Sequence, residues 1–121
     1  PHSEEEKKRP IANSPFGITG LETSLSLTYT ELVCGGYLTP MQMVEKMSYN
    51  PAKIVGIDRG TLCPGAVADI TIMDPEAEYV IDRNDFVSMG HNTPFDGRKV
   101  KGVVRYTLVN GEKVYTGKDV Q

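Results

Sequence analysis

The chain changes its hydrophobic grammar near its midpoint. Up to residue 57 apolar side chains recur at the three- and four-residue spacing of helices, whereas from Gly60 onward they alternate with polar ones. The first helix is expected to start at Thr19, where Thr19 and Glu22 have the spacing of a capping box. It would keep Leu21, Leu25, Thr28, Tyr29 and Leu32 toward a core. Gly35-Gly36 stops it, because glycine readily takes the left-handed conformation of a C-terminal cap. Thr39 and Gln42 repeat the box, with Pro40 at the first helical position and Leu38 and Met43 spaced as a hydrophobic staple. This predicts a short helix through Met47. A third start is predicted with Asn50 as cap, Pro51 at the first position, Tyr49 stapled onto Ile54, and Gly56 as the stop.

In the second half, Ala68, Ile70 and Ile72 share one face of a half-buried strand running to Met73. Tyr79 to Ile81 reads as a second, shorter strand, and Val103 to Val109 as a third with Val104, Tyr106 and Leu108 on one side. Asn110-Gly111 is a strong hairpin signal, since both central residues of a type I′ turn need positive φ, and it predicts a fourth strand from Glu112 to Thr116. Two stretches carry neither pattern. Residues 3–9 have no apolar side chain and are expected to form a mobile loop, either a solvated turn or a lid. Arg83 to Gly102 is rich in Asn, Asp, Gly and Pro, and a connection of that length normally packs on something. The surface it would cover is expected to be missing from this chain. Helices followed by strands, without βαβ alternation, give an α+β class.

Composition narrows the function. Thirteen Lys and Arg against 16 Asp and Glu leave a net charge of −3, which provides no field for holding phosphate backbones. Nucleic acid is excluded as an expected partner. No apolar run approaches the length of a membrane span and no secretory signal is visible, so a membrane is not an expected partner either and a cytoplasmic location is expected. Cys34 and Cys63 are far apart and unpaired in pattern, and are expected to be reduced and structural.

Candidate chemistry is sparse. A hydrolytic zinc site needs about three His or carboxylate ligands on rigid elements, and the only histidines are His2 and His91. Combining them with Cys34 and Cys63 lacks the closely paired spacing that assembles such a site. There is no Gly-x-Ser-x-Gly elbow, and Gly17-Ile18-Thr19-Gly20 has neither the spacing nor the lysine of a phosphate loop. What remains is Ser14 to Gly20, a stiff turn leading into a helix start. There free backbone N–H groups and the helix dipole would suit an anion, unless the stretch is simply a capped helix behind a proline turn.

Pro1-His2, a charged loop, and Pro15-Phe16-Gly17-Ile18-Thr19-Gly20-Leu21-Glu22-Thr23 resemble the last barrel segment of dihydroorotases, the cyclic amidohydrolases of pyrimidine biosynthesis. In that family the region reads Asp-His-Ala-Pro-His, a loop, then Pro-Phe-Gly-Ile-x-Gly-Leu-Glu-Thr. The resemblance continues through Asn50-Pro51-Ala52-Lys53-Ile54, Gly60-x-Leu62-x-x-Gly65-x-x-Ala68-Asp69-Ile70 and Asn92-Thr93-Pro94-Phe95-x-Gly97. Gly65-x-x-Ala68-Asp69 recurs across amidohydrolases at large, whereas the runs at 16–23 and 92–95 are specific to dihydroorotases.

The resemblance implies that residues 1–57 are the last loop and helices of a (β/α)8 barrel and that residues 58–121 are strands of a small C-terminal β domain. It implies a parent enzyme, holding one or two zinc ions, that interconverts dihydroorotate and N-carbamoyl-L-aspartate. The catalytic Asp is expected just upstream of Pro1, with the metal ligands further upstream, so neither catalytic nor metal-binding residues are expected in this chain. His2 matches the histidine that helps to hold the substrate carboxylate, and Phe16 and Gly17 match residues whose backbone contacts the substrate. A C-terminal fragment, inert alone, is therefore expected, with the remainder of its own polypeptide as partner and a homo-oligomeric parent. Two alternatives stay open. One is a hydantoinase or allantoinase, since the β-domain signature is shared. The other is a non-catalytic dihydroorotase-like subunit that assembles with aspartate transcarbamoylase.

Overall fold

A computed structural model describes residues 2–117, so Pro1 of the Pro1-His2 pair lies outside the described residues. The α+β order holds. A helical first half is followed by an antiparallel sheet in the order β1-β2-β3, made of β1 (Ile70–Val80), β2 (Lys99–Val109) and β3 (Glu112–Thr116). Among the described residues no helix is long and apolar enough to cross a membrane.

The hairpin follows its sequence signal, with Asn110 at φ 52° and Gly111 at φ 82° between β2 and β3. The two expected strands at 68–73 and 79–81 are instead one, because β1 continues through register shifts between Ile72 and Met73 and between Asp74 and Glu78. Pro75 has no N–H to give to a ladder, so the second bulge forms there. The Asp74 carboxylate accepts the N–H groups of Glu76 and Ala77, each at 3.1 Å. Its other oxygen accepts from the Arg105 guanidinium of β2 at 2.9 Å. These bonds, led by that to Arg105, hold the Asp74 carboxyl below its ordinary pKa. Ile70 and Ile72 pair in unbroken register with Leu108 and Tyr106 ahead of the first shift, yet Ile72 is exposed rather than half-buried.

The helical half departs further. Residues 3–9 are not a bare loop: Ser3 caps α1 (Glu4–Lys7) through a complete capping box with Glu6. The box expected at Thr19 and Glu22 does not form, and α2 (Ser24–Thr28) starts later, running on as a wider π-helical turn over Tyr29–Val33. Thr23 and Ser26 are buried while Leu21, expected inward, is exposed. Next comes α3 (Pro40–Val44), which starts at the predicted Thr39–Gln42 box. It does not end near Met47 but runs through a π-helical turn, Glu45–Tyr49, into α4 (Asn50–Val55). Asn50 is therefore not a cap, and its N–H reaches back to the Glu45 carbonyl. Pro51 cannot bond to Met47 and its ring would strike that carbonyl in regular α geometry, which the widened turn just before it relieves. Gly56, at φ 71°, ends the helix as predicted, with Ile57 N–H on the Ala52 carbonyl at 3.0 Å and Gly56 N–H on Lys53 at 3.3 Å.

The two halves meet at Gly102. Ser26 Oγ donates to the Gly102 carbonyl at 2.5 Å and accepts from the Tyr79 hydroxyl at 3.1 Å, while Lys101 N–H donates to Thr30 Oγ1 at 2.8 Å. Gly102 sits at φ 88°, and a Cβ there would lie 2.9 Å from Met73 Cε and 3.3 Å from the Tyr29 ring. Among the described residues the buried apolar side chains are few: Met43, Ala52, Ile81, Val100 and Val103. Met41, Ile54 and Leu62 are among the large apolar residues left exposed.

The 83–102 connection does have a surface to pack on, contrary to expectation, and it is residues 17–22 of the same chain. Glu22 accepts from Val87 N–H and Ser88 N–H, each at 3.0 Å, and from the Ser88 hydroxyl at 2.6 Å. Thr19 Oγ1 donates to the Gly90 carbonyl at 2.9 Å and Thr19 N–H to Asn92 at 2.8 Å. Three donors converging on one carboxylate outbid a helix cap, and this is why the Thr19–Glu22 box is lost. Partial desolvation pushes the Glu22 pKa up, but the bonds from Ser88 and Val87 outweigh it and hold the carboxyl below its ordinary value.

Two predictions follow from these joints. Gly102→Ala should destabilise the protein by roughly 2–4 kcal/mol, combining a strained φ with overpacking against Tyr29 and Met73. Gly65→Ala, with equally positive φ but open space around it, should cost only about 1–2 kcal/mol; urea denaturation of both variants measures the difference. The Glu22 anchor, whose folded pKa is lowered, should hold above the ordinary value of 4.5 and be lost as pH falls through the lower folded value. Amide-exchange protection at Val87 and Ser88 should therefore drop in acid, and Glu22→Gln should abolish that pH step.

Candidate functional site

The strap formed by residues 17–22 and 87–92 lines a cavity of about 660 Å³ together with residues of α1. His2, Phe16 and Gly17, singled out in sequence, all line it. His2 is half exposed, and its Nδ1 lies 3.5 Å from the Glu6 carboxylate, which leaves Nε2 as the ring nitrogen for a ligand. Glu6 is held below its ordinary pKa, first by the Ser3 N–H of the capping box and then, against some desolvation, by His2. The Ser3-x-x-Glu6 box thus places the histidine as well as starting the helix.

Phe16 is almost wholly exposed, and Gly17 lies at φ 101°, a conformation that side chains rarely adopt. Among the described residues the N–H groups of Phe16, Gly17 and Ile18 have no acceptor. They are available to an anion, but not for the reason expected from sequence. Because α2 begins at Ser24, no helix terminus or dipole stands behind this turn.

Sequence reasoning missed Lys7, Lys8, Arg83, His91 and Asn92 as lining residues. The cationic side chains are set against one acidic one, Glu4, so this cavity is positive in a chain whose net charge is −3. Lys8 pairs with Glu4 at 3.4 Å and Arg83 with Asp96 at 3.6 Å. His91 stacks on Phe86, and its Nδ1 lies 2.5 Å from the Arg83 carbonyl oxygen. Asn92 was legible as part of the Asn92-Thr93-Pro94-Phe95 run but not as a site residue. Its Nδ2 donates to the Gly17 carbonyl at 3.0 Å, a contact between residues too far apart in sequence for any local pattern to reveal.

Cys34 and Cys63 are free, and both are exposed rather than buried in a core. Among the described residues no group of three or more His, Cys, Asp or Glu side chains is placed to hold a metal ion. The residues present do not fit a zinc centre. What they offer instead is an imidazole, unpaired backbone N–H groups and a positive lining, a set of donors that suits a small anion.

Residues 11–114 match the model of the amidohydrolase family. The chain is 53% identical over 114 residues to a dihydroorotase from Pelotomaculum thermopropionicum, covering 94% of this chain and 27% of that relative. It is 50% identical over 115 residues to a dihydroorotase from Clostridioides difficile, covering 95% and 27%. It therefore spans about a quarter of the length of these curated relatives. Among solved structures it is similar to the L-hydantoinase of Arthrobacter aurescens, with a TM-score of 0.83 and 35% identity over 92% of this chain and 25% of that one. A D-hydantoinase from Thermus sp. gives a TM-score of 0.82 at 26% identity, covering 96% and 26%. With a family match across most of its length and dihydroorotases as relatives over nearly all of it, the chain belongs to the amidohydrolase family.

Proposed function

We propose that these residues form the carboxylate-holding edge of a dihydroorotase, which interconverts dihydroorotate and N-carbamoyl-L-aspartate in pyrimidine biosynthesis. The observation that carries this reading is the convergence of His2 with the Phe16-Gly17 turn on one positively lined cavity. Dihydroorotate bears a carboxylate beside its cyclic amide and hydantoin does not, so an anion cradle favours the former. The identities of about half with dihydroorotases, against 35% with the L-hydantoinase, point the same way.

In this reading residues 1–57 are the last loop and helices of a (β/α)8 barrel and residues 58–121 belong to a small β domain. The exposed Met41, Ile54 and Leu62 then face the rest of the barrel, which supplies the apolar cover that the chain lacks. Zinc and its ligands come from that remainder, together with the proton-transferring Asp. The role of the present residues is to fix the carboxylate, so that the ring amide is presented in one orientation.

The test is an assay of the full-length polypeptide carrying these residues. Dihydroorotate should be hydrolysed and hydantoin should not. His2→Ala should raise KM for dihydroorotate by roughly ten- to a hundredfold, as expected for loss of a hydrogen bond to a charged group. Preferential turnover of hydantoin would favour the hydantoinase reading, which the overlap with the Arthrobacter aurescens structure keeps in view.

A further inference from the structure

The carbonyl oxygens of Pro15, Phe16 and Gly17 all converge on one ammonium group. Lys7 Nζ donates to them at 2.8, 3.2 and 2.7 Å. Three carbonyl dipoles aimed at one point repel one another unless a cation sits there, and Gly17 at φ 101° gives the turn a conformation that other residues rarely adopt. A peptide unit is planar and trans, so each carbonyl turned toward Lys7 sends the N–H of the next residue the opposite way. The N–H groups of Phe16, Gly17 and Ile18 are thereby each turned away from Lys7, and among the described residues none of them has an acceptor. An ammonium has three protons, and here each has a carbonyl, so none is left for a ligand.

We propose that Lys7 is a positioning residue, which holds the Pro15–Gly17 carbonyls and so keeps the following N–H groups turned outward and open to the anion, and which does not itself touch the substrate. The inference rests on the proposed reading of that cradle as the carboxylate site. Asn92 is its counterpart, since Nδ2 grips the same Gly17 carbonyl from the 83–98 connection. Of the three acidic and two basic residues between Ser3 and Arg9 that could have been mere solvated charge, Glu6 faces His2 and Lys7 faces the turn. A four-residue helix therefore sets both parts of the cradle.

The experiment uses the full-length polypeptide, with kinetics on dihydroorotate for the wild type, Lys7→Met, Lys7→Arg, Asn92→Ala and the Lys7→Met/Asn92→Ala double variant. Lys7→Met should raise KM about tenfold with kcat within about twofold, the signature of lost ground-state binding. Lys7→Arg, which keeps a cation but not the three-pronged geometry, should recover part of the loss. Because Lys7 and Asn92 hold one carbonyl, the double variant should lose clearly less than the product of the two single losses. Hydrogen exchange at Phe16, Gly17 and Ile18 should change in Lys7→Met while exchange in β2 does not, which separates a local effect from misfolding. An unchanged KM in Lys7→Met, or losses that multiply as for a direct substrate contact, would overturn the inference. A wild type that leaves dihydroorotate untouched would overturn the proposed function, and this inference with it.

Discussion

The Glu22 carboxylate, accepting from two backbone N–H groups and one hydroxyl of the 87–88 segment, is the joint on which the site depends. From Phe86 to Gly97 the chain has no regular structure, and a stretch of backbone without ladder partners stays put only if its polar groups are satisfied elsewhere. Glu22, Thr19 and the Gly17 carbonyl provide those partners. Without them the cavity would lose the wall that carries Ser88, Met89, Gly90, His91 and Asn92. Two segments about seventy residues apart are each irregular alone and ordered together.

That joint is secured at a distance by the contact of α2 with β2. The contact is largely polar: Ser26, Thr30 and Tyr79 bond around a glycine whose missing side chain lets Tyr29 approach. A glycine at Gly102 keeps the helix close to the sheet, so the strap leading up to α2 is carried to the neighbourhood of residues 87–92. The buried apolar set is small and several large apolar side chains face solvent. A protein whose cover lies in another part of a larger fold has this appearance, in keeping with a chain that spans about a quarter of its relatives.

How much of this could be read from the sequence depends on the range of the interactions involved. Signals completed within a few residues were legible: the Thr39–Gln42 box, the Gly56 stop, and the Asn110-Gly111 hairpin with β3 after it. Ser3-x-x-Glu6 and Thr19-x-x-Glu22 have the same spacing, yet only the first caps a helix, because the second has stronger partners far away in sequence. The helical run over 40–55 is continuous where the sequence predicts two helices, since Asn50-Pro51 is a good start signal wherever no preceding turn can widen to admit it. His2, Phe16 and Gly17 were reached through resemblance to a family, whereas Lys7 and Asn92 act through contacts no local pattern encodes.

Under the proposed function, imidazole and turn, brought together by α1 and the strap, hold one carboxylate. A crystal structure of the full-length polypeptide with N-carbamoyl-L-aspartate is the decisive measurement. The substrate carboxylate should lie within hydrogen-bonding distance of His2 Nε2 and of an N–H group in the Phe16–Ile18 turn, with Lys7 still on the carbonyls behind it. A ligand bound with its carboxylate on other residues, touching neither His2 nor the turn, would contradict it.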